Sequence, residues 1–180
     1  TGTVVSSMNG FLCTTKLDVE YRGKGAHAGG EPHKGKNALL AAATAALNLH
    51  AIAPHSDGIT RLNVGVLNAG EGRNVVPPKA VMKIETRGET NEIAKYVYDR
   101  AESVIRCSAE MYDLLWETKK VGESVTSDSD PELMALVSQV AVDVEGVDKV
   151  LDRVNMGGSD DATWMMNRVQ SRGGKATYMV

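Results

Sequence analysis

From Lys16 to Arg22 apolar and polar residues alternate. Leu17, Val19 and Tyr21 fall on one face, and Lys16, Asp18, Glu20 and Arg22 on the other, which predicts a half-buried strand. Asn37 to Ala53 changes to helical spacing, with Leu40, Ala43 and Leu47 as its apolar stripe and Pro54 as its stop. Alternation returns from Ile59 to Leu67, with Leu62, Val64 and Val66 inward. It returns again from Ala80 to Arg87, with Ala80, Met82 and Ile84 inward and Lys83, Glu85 and Arg87 outward. A helix is predicted from Asn91 to about Tyr112 on the stripe Ile93, Val97, Ala101, Val104 and Met111, and a last strand from Leu114 to Val121.

This order, β-α-β-β-α-β, is that of a ferredoxin-like sandwich, an α+β fold with an antiparallel four-stranded sheet and two helices on one face. "GESVTSDSDPE" then reads as a linker, with Asp130 as N-cap and Pro131 in the first helical turn. The helix after it carries Leu133, Leu136, Val137, Val140 and Val144 and is closed by Gly146. A strand over Lys149 to Val154 leads to "NMGGSDDATWMMNRVQSRGG", where Ser159 is expected to cap a helix that Gly173 closes. This second half reads as part of an α/β domain. The chain starts without methionine and stops inside the apolar "ATYMV", so a piece of a longer protein is expected.

Composition narrows the function. A net charge of −3 with scattered lysines and arginines offers no basic field for nucleic acid, and few aromatic residues are available to stack on bases. The longest apolar stretch, Ala38 to Leu47, is too short and too alanine-rich for a membrane span. Cys13 and Cys107, far apart and without a partner motif, are expected to be free buried thiols in a reducing compartment, which points to the cytoplasm.

Four histidines are present, but there is no HExxH, no CxxC and no adjacent Glu-Glu, so no complete metal site is expected within these residues. Ser159 in "GGSDD" does not match GxSxG, and a helix cap is the simpler role. "GEGRN" at Gly70 to Asn74 is not followed in the P-loop register. His27 follows a strand in a glycine-rich loop, where a core histidine is unexpected and a solvated one is the ordinary alternative. Asn74 follows a glycine turn. Arg87 ends a strand, where a surface salt bridge is the common role, although a guanidinium fork also grips carboxylates in two places. Histidine, asparagine and arginine at one end of a sandwich would make a clamp for a carboxylate or a carbonyl.

"GKGAHAGGEPHKGKNALLAA", "GEGRNVVPPKAVMKIETRG" and "GGSDDATWMMNRVQ" together resemble the glutamate carboxypeptidase and aminoacylase family of metallo-amidohydrolases, and within it the aminobenzoyl-glutamate utilisation proteins. The resemblance implies a ferredoxin-like lid that dimerises over residues 14–121, flanked by catalytic-domain segments at 1–13 and 122–180. By motif match, His27 is the lid histidine that reaches across the dimer to polarise the scissile carbonyl. Asn74 and Arg87 match positions that hold the substrate's carboxylate end, and Gly157, Gly158 and Ser159 the loop lining the substrate pocket. The resemblance implies two divalent metal ions, zinc or manganese, whose ligands lie before Thr1 and after Val180, so this chain alone is expected to bind no metal and to be inactive. The implied partners are a second lid, from an identical or a related protomer, and an N-acyl amino acid such as p-aminobenzoyl-glutamate. The rival expectation is a non-catalytic dimerisation or small-carboxylate-binding module built on the same sandwich.

Overall fold

The computed structural model describes residues 2–180. In chain order the elements are β1 (Thr3–Val5), β2 (Met8–Asn9), β3 (Cys13–Arg22), α1 (Ala38–His50), β4 (Thr60–Ala69), β5 (Lys79–Gly88), α2 (Asn91–Met111), β6 (Leu115–Ser124), α3 (Pro131–Ala141), β7 (Lys149–Leu151), β8 (Val154–Asn155) and α4 (Ala162–Gln170). They divide into two compact units. One comprises residues 14–88 and 92–123; the other comprises the residues up to Cys13, with 89–91 and 124–180.

In the first unit β3 to β6 form one sheet in the order β4-β5-β3-β6, the arrangement that a β-α-β-β-α-β chain requires of a ferredoxin-like sandwich. β4 and β5 pair antiparallel from Thr60↔Gly88 to Ala69↔Ala80. Leu17, Val19, Tyr21, Ala80, Met82 and Ile84 face a core closed by Ala38, Ala41, Ala42, Ala45 and Leu49 of α1 and by Ala101, Ile105 and Ala109 of α2. The Tyr21 hydroxyl donates to the Ile105 carbonyl at 3.1 Å, and burial pushes its phenol far above the ordinary range.

The core-facing stripes differ from the predicted ones in three places. α1 buries its alanines, while Leu40 is 44% and Leu47 76% exposed. The helix is apolar nearly all round, so spacing alone cannot choose a face, and the face that is buried holds four alanines and Leu49. In α2 the buried stripe continues through Ile105, Ser108 and Ala109, and Met111 is 66% exposed. In β4 a bulge between Val64 and Val66 shifts the register, so Val64 lies opposite buried Ile84 but Val66 lies opposite exposed Lys83. One extra residue in a strand exchanges its faces, and Gly65 supplies it. β6 also runs on through Gly122 and Ser124, into the stretch read as linker.

The second unit holds two parallel strand pairs, β1 with β7 and β2 with β8, so the single strand expected over Lys149 to Val154 is two short ones. Parallel pairing suits part of an α/β domain. The carboxy-terminal residues close against the same strands, with Val5 and Val180 exchanging backbone hydrogen bonds of 2.7 and 3.1 Å. α3 ends at Ala141, earlier than expected. Gly146 (φ +86°) closes the turn beyond it, and Leu136, Val140 and Val144 are exposed. Asp130 sits at the N-cap position of α3 with Pro131 after it, but its carboxylate does not cap the helix. One oxygen, Oδ2, accepts instead from the Ala176 N–H and the Gln170 side-chain amide, both at 2.8 Å.

Those donors hold the Asp130 carboxyl below its ordinary range, the Ala176 N–H foremost. A carboxyl whose folded-state pKa is depressed stabilises the fold above its unfolded value, near about 4, and that contribution is lost as pH falls through the folded value. Asp130→Asn is therefore expected to lower the melting temperature at neutral pH and to flatten its decline below about pH 4, as followed by thermal melts from pH 7 to 3.

Candidate functional site

Beyond the ends of β3 and β5 the backbone pairing continues into loops. The Gly23 N–H donates to Pro78 O (2.7 Å), Val76 N–H to Ala26 O (2.9 Å) and Ala28 N–H to Asn74 O (2.9 Å), and His27 and Val75 form an isolated antiparallel bridge. The next stretch of chain folds back onto this ladder, with Lys24 and Lys36 exchanging hydrogen bonds of 3.0 and 2.8 Å. A Cβ at Gly23 would overlap the Lys36 carbonyl oxygen, so only glycine permits the crossing. Asn37 then caps α1 by accepting the Leu40 N–H at 3.2 Å.

This lacing sets His27 in an exposed loop with one ring nitrogen occupied. Nδ1 accepts the Gly29 N–H at 3.2 Å and the Gly30 N–H at 2.9 Å. An acceptor nitrogen carries no proton, so in the neutral ring the proton lies on Nε2, which has no partner among the described residues. The ring is thus a donor aimed outward. Asn74 is pinned by its backbone carbonyl while its side-chain amide is likewise unpartnered among the described residues. These two sequence-predicted residues come together.

Arg87 does not join them within the chain. Asn74 and His27 lie beyond the amino-terminal end of β5, whereas Arg87 lies near its other end, opposite Arg61 on β4. Eight residue steps of extended strand separate Lys79 from Arg87, about 26 Å. The expectation of all three at one end is therefore corrected for the single chain, because extended backbone, not sequence proximity, sets their separation. Arg87 is partly buried; its Nε donates to Glu85 Oε1 at 2.7 Å, leaving the two terminal nitrogens of the fork without partners among the described residues.

Gly157, Gly158 and Ser159 lie in the second unit. Gly157 takes φ +61° in open space, and the loop is tied to Leu12 by Leu12 N–H to Gly158 O at 2.7 Å and by the Ser159 hydroxyl to Leu12 O at 2.6 Å. Ser159 is not the cap of α4. Asp161 holds that position, and Asp160 Oδ1 accepts the Ala162 N–H at 2.8 Å because its carboxylate lies nearer the first turn. The other Asp160 oxygen accepts from the Tyr178 hydroxyl at 3.1 Å, which raises that phenol's pKa.

Among the described residues no three His, Cys, Asp or Glu side chains gather where one ion could reach them, so the described residues do not by themselves fit a metal centre. No disulfide joins the two cysteines; Cys13 is buried as expected, but Cys107 is exposed, since it falls off the buried stripe of α2. No helix among the described residues is long and apolar enough to cross a membrane.

The sandwich leaves β4 as an edge strand of its sheet and sets His27 in an exposed loop. Residues 14–111 match the peptidase dimerisation domain of the M20 group, and the chain belongs to that family. The chain is 49% identical over 99% of its length to a p-aminobenzoyl-glutamate hydrolase subunit from Escherichia coli, of which it covers 41%. It is 51% identical, again over 99% of its length, to indole-3-acetyl-aspartic acid hydrolase of Enterobacter agglomerans, of which it also covers 41%. The crystal structure of an aminobenzoyl-glutamate utilisation protein from Klebsiella pneumoniae superposes with a TM-score of 0.94 at 51% identity, covering 99% of this chain and 46% of that one. The chain thus spans about two fifths of the curated relatives it matches.

Gly23 is the residue on which the His27 loop turns. Gly23→Ala is expected to cost about 1–3 kcal/mol, the usual range for overpacking a filled site. Amide exchange should quicken first at Lys24 and Lys36, whose mutual bridge the new methyl would displace, as read by thermal melts and hydrogen exchange.

Proposed function

We propose that this chain is the lid and substrate-recognition part of a dimeric, metal-dependent amidohydrolase. The enzyme would cleave the amide bond of an N-acyl amino acid, with p-aminobenzoyl-glutamate as the first substrate to test. The observation that carries the reading is the His27–Asn74 corner, where a ring donor with a fixed tautomer and a free amide project from a backbone ladder. Such a donor suits a carbonyl oxygen that gains charge during attack on its carbon. The open fork of Arg87 suits a carboxylate that is charged throughout. Support also comes from the M20 family match and from the names of the two relatives near 50% identity, each of which specifies an acyl conjugate of an acidic amino acid. In this reading two divalent ions, zinc or manganese, are held by parts of the protein outside this chain. The lid residues here bind and orient the substrate, and the loop Gly157–Ser159 of the other unit is a separate candidate for substrate contact. Cysteines outside any disulfide fit a cytoplasmic setting.

The separation of His27 from Arg87 favours a site shared between protomers. β4 is an edge strand, and beside it α1 leaves Leu39, Leu40 and Leu47 at the surface. If two lids join through β4 about a twofold axis, the strands run antiparallel. The His27–Asn74 end of one chain then meets the Arg87 end of the other, so each site takes its histidine and its arginine from different chains. The partner is a second copy or a related protomer.

In the full-length enzyme His27→Ala is expected to lower kcat by about a hundred- to a thousandfold, because its donor acts on charge present only in the transition state. Arg87→Ala should raise KM more than it lowers kcat. When the two variants are mixed and allowed to exchange protomers, each mixed dimer should regain one site carrying both wild-type groups. Activity that stays at the parental background despite proven exchange rejects the shared site.

A further inference from the structure

Arg61 lies directly opposite Arg87 across the β4–β5 ladder. Residues directly opposite in an antiparallel pair share a face of the sheet, with their Cβ atoms about 4.5–5.5 Å apart, and like charges in that relation repel. Neighbouring Leu62 packs against the core and Thr86 is buried, so Arg61 and Arg87 both project from the outer face. Glu85 engages Arg87 alone, through Nε. Arg61 has no carboxylate partner among the described residues; Nη1 donates to the Thr60 carbonyl at 3.0 Å, and the rest of its fork is open. Beside them on the same face, Asn63 lies opposite Glu85. The one carboxylate beside these two adjacent guanidinium groups is thus taken by Arg87, and the pair is left with an excess positive charge that an anion would relieve.

We propose that Arg61 is a specificity residue that binds a second carboxylate of the substrate, next to the one held by Arg87, so that the site selects N-acyl amino acids with acidic side chains. This rests on the amidohydrolase reading above and deepens it. Two forks a strand spacing apart match a molecule whose two carboxylates are separated by a short aliphatic segment, as in an N-acyl glutamate or aspartate. An N-acyl amino acid with a neutral side chain would meet Arg87 and leave Arg61 unanswered.

The test uses the full-length enzyme with two substrates of nearly the same shape, p-aminobenzoyl-glutamate and p-aminobenzoyl-glutamine, whose side chain ends in a neutral amide. The wild type is expected to prefer the glutamate conjugate in kcat/KM, and Arg61→Gln to reduce that preference by about ten- to a hundredfold, the value of a charge-assisted hydrogen bond. The change should appear in KM for the glutamate conjugate and leave the glutamine conjugate nearly unaffected, with Arg61→Lys keeping part of the preference. If Arg61→Gln slows both conjugates equally, or neither, while the wild type hydrolyses them, the second-carboxylate role is overturned and the amidohydrolase reading stands. If the metal-loaded wild type hydrolyses no N-acyl amino acid, that reading fails and this role with it.

Discussion

The constraint on which the candidate site depends is the backbone ladder that carries the pairing of β3 and β5 past the ends of the strands. Exposed loops ordinarily drift, because ordering each residue costs about 1–2 kcal/mol of conformational entropy. Here Gly23, Ala26 and Ala28 are fastened to Pro78, Val76 and Asn74 by backbone hydrogen bonds, and a glycine at position 23 lets the Lys36 segment close over the join. His27 therefore stands on a short extension of the sheet although it lies in a loop. Its tautomer is set by two further backbone donors, Gly29 and Gly30. A histidine held in this way can act as a hydrogen-bond donor without first having to be ordered.

The same economy governs the sandwich beneath. α1 rests on four alanines and Leu49, and its other three leucines are turned outward. A leucine-faced helix would have built a thicker core, but it would not have left Leu39, Leu40 and Leu47 beside an open edge strand. Apolar surface next to unpaired backbone is what a second sheet edge can cover. In this chain the choice of which apolar residues to bury also decides which remain at the surface.

Much of this architecture was legible in the sequence. Period-two alternation in Lys16–Arg22 and Ala80–Arg87 is read correctly because each strand buries one face throughout. It misleads in β4, where a single bulge at Gly65 moves Val66 to the side of Lys83; a pattern of apolar letters does not record an inserted residue. Helical stripes mislead where both faces are apolar, as in α1, or where a stripe continues onto small and polar residues, as at Ser108 and Ala109 of α2. Caps are half legible for a related reason: Asp130 does hold the N-cap position of α3, whereas Asp161 and not Ser159 holds that of α4. Asp130 and Ser159 stand near helix starts, but longer-range partners, Ala176 and Leu12, claim their side chains. The sequence brings His27, Asn74 and Arg87 forward by residue type and motif. It carries no signal for Arg61, whose interest comes only from the register that sets it opposite Arg87.

That register bears on how association and binding are connected. A molecule gripped at its amide by His27 and at its carboxylates by Arg61 and Arg87 cannot span the length of β5 in one chain. In the proposed dimer it touches both chains at once, so substrate binding and dimer formation become linked equilibria. Whatever binds the dimer but not the monomer draws the monomer into the dimer, by RT ln(1 + [L]/Kd) for each site. The edge of β4 is then more than a surface for assembly. Its Thr60 end carries Arg61, its Ala69 end lies beside the strand that leads back to Asn74, and pairing two such edges brings the one end to the other. Selection of the substrate and selection of the partner would be written on a single strand.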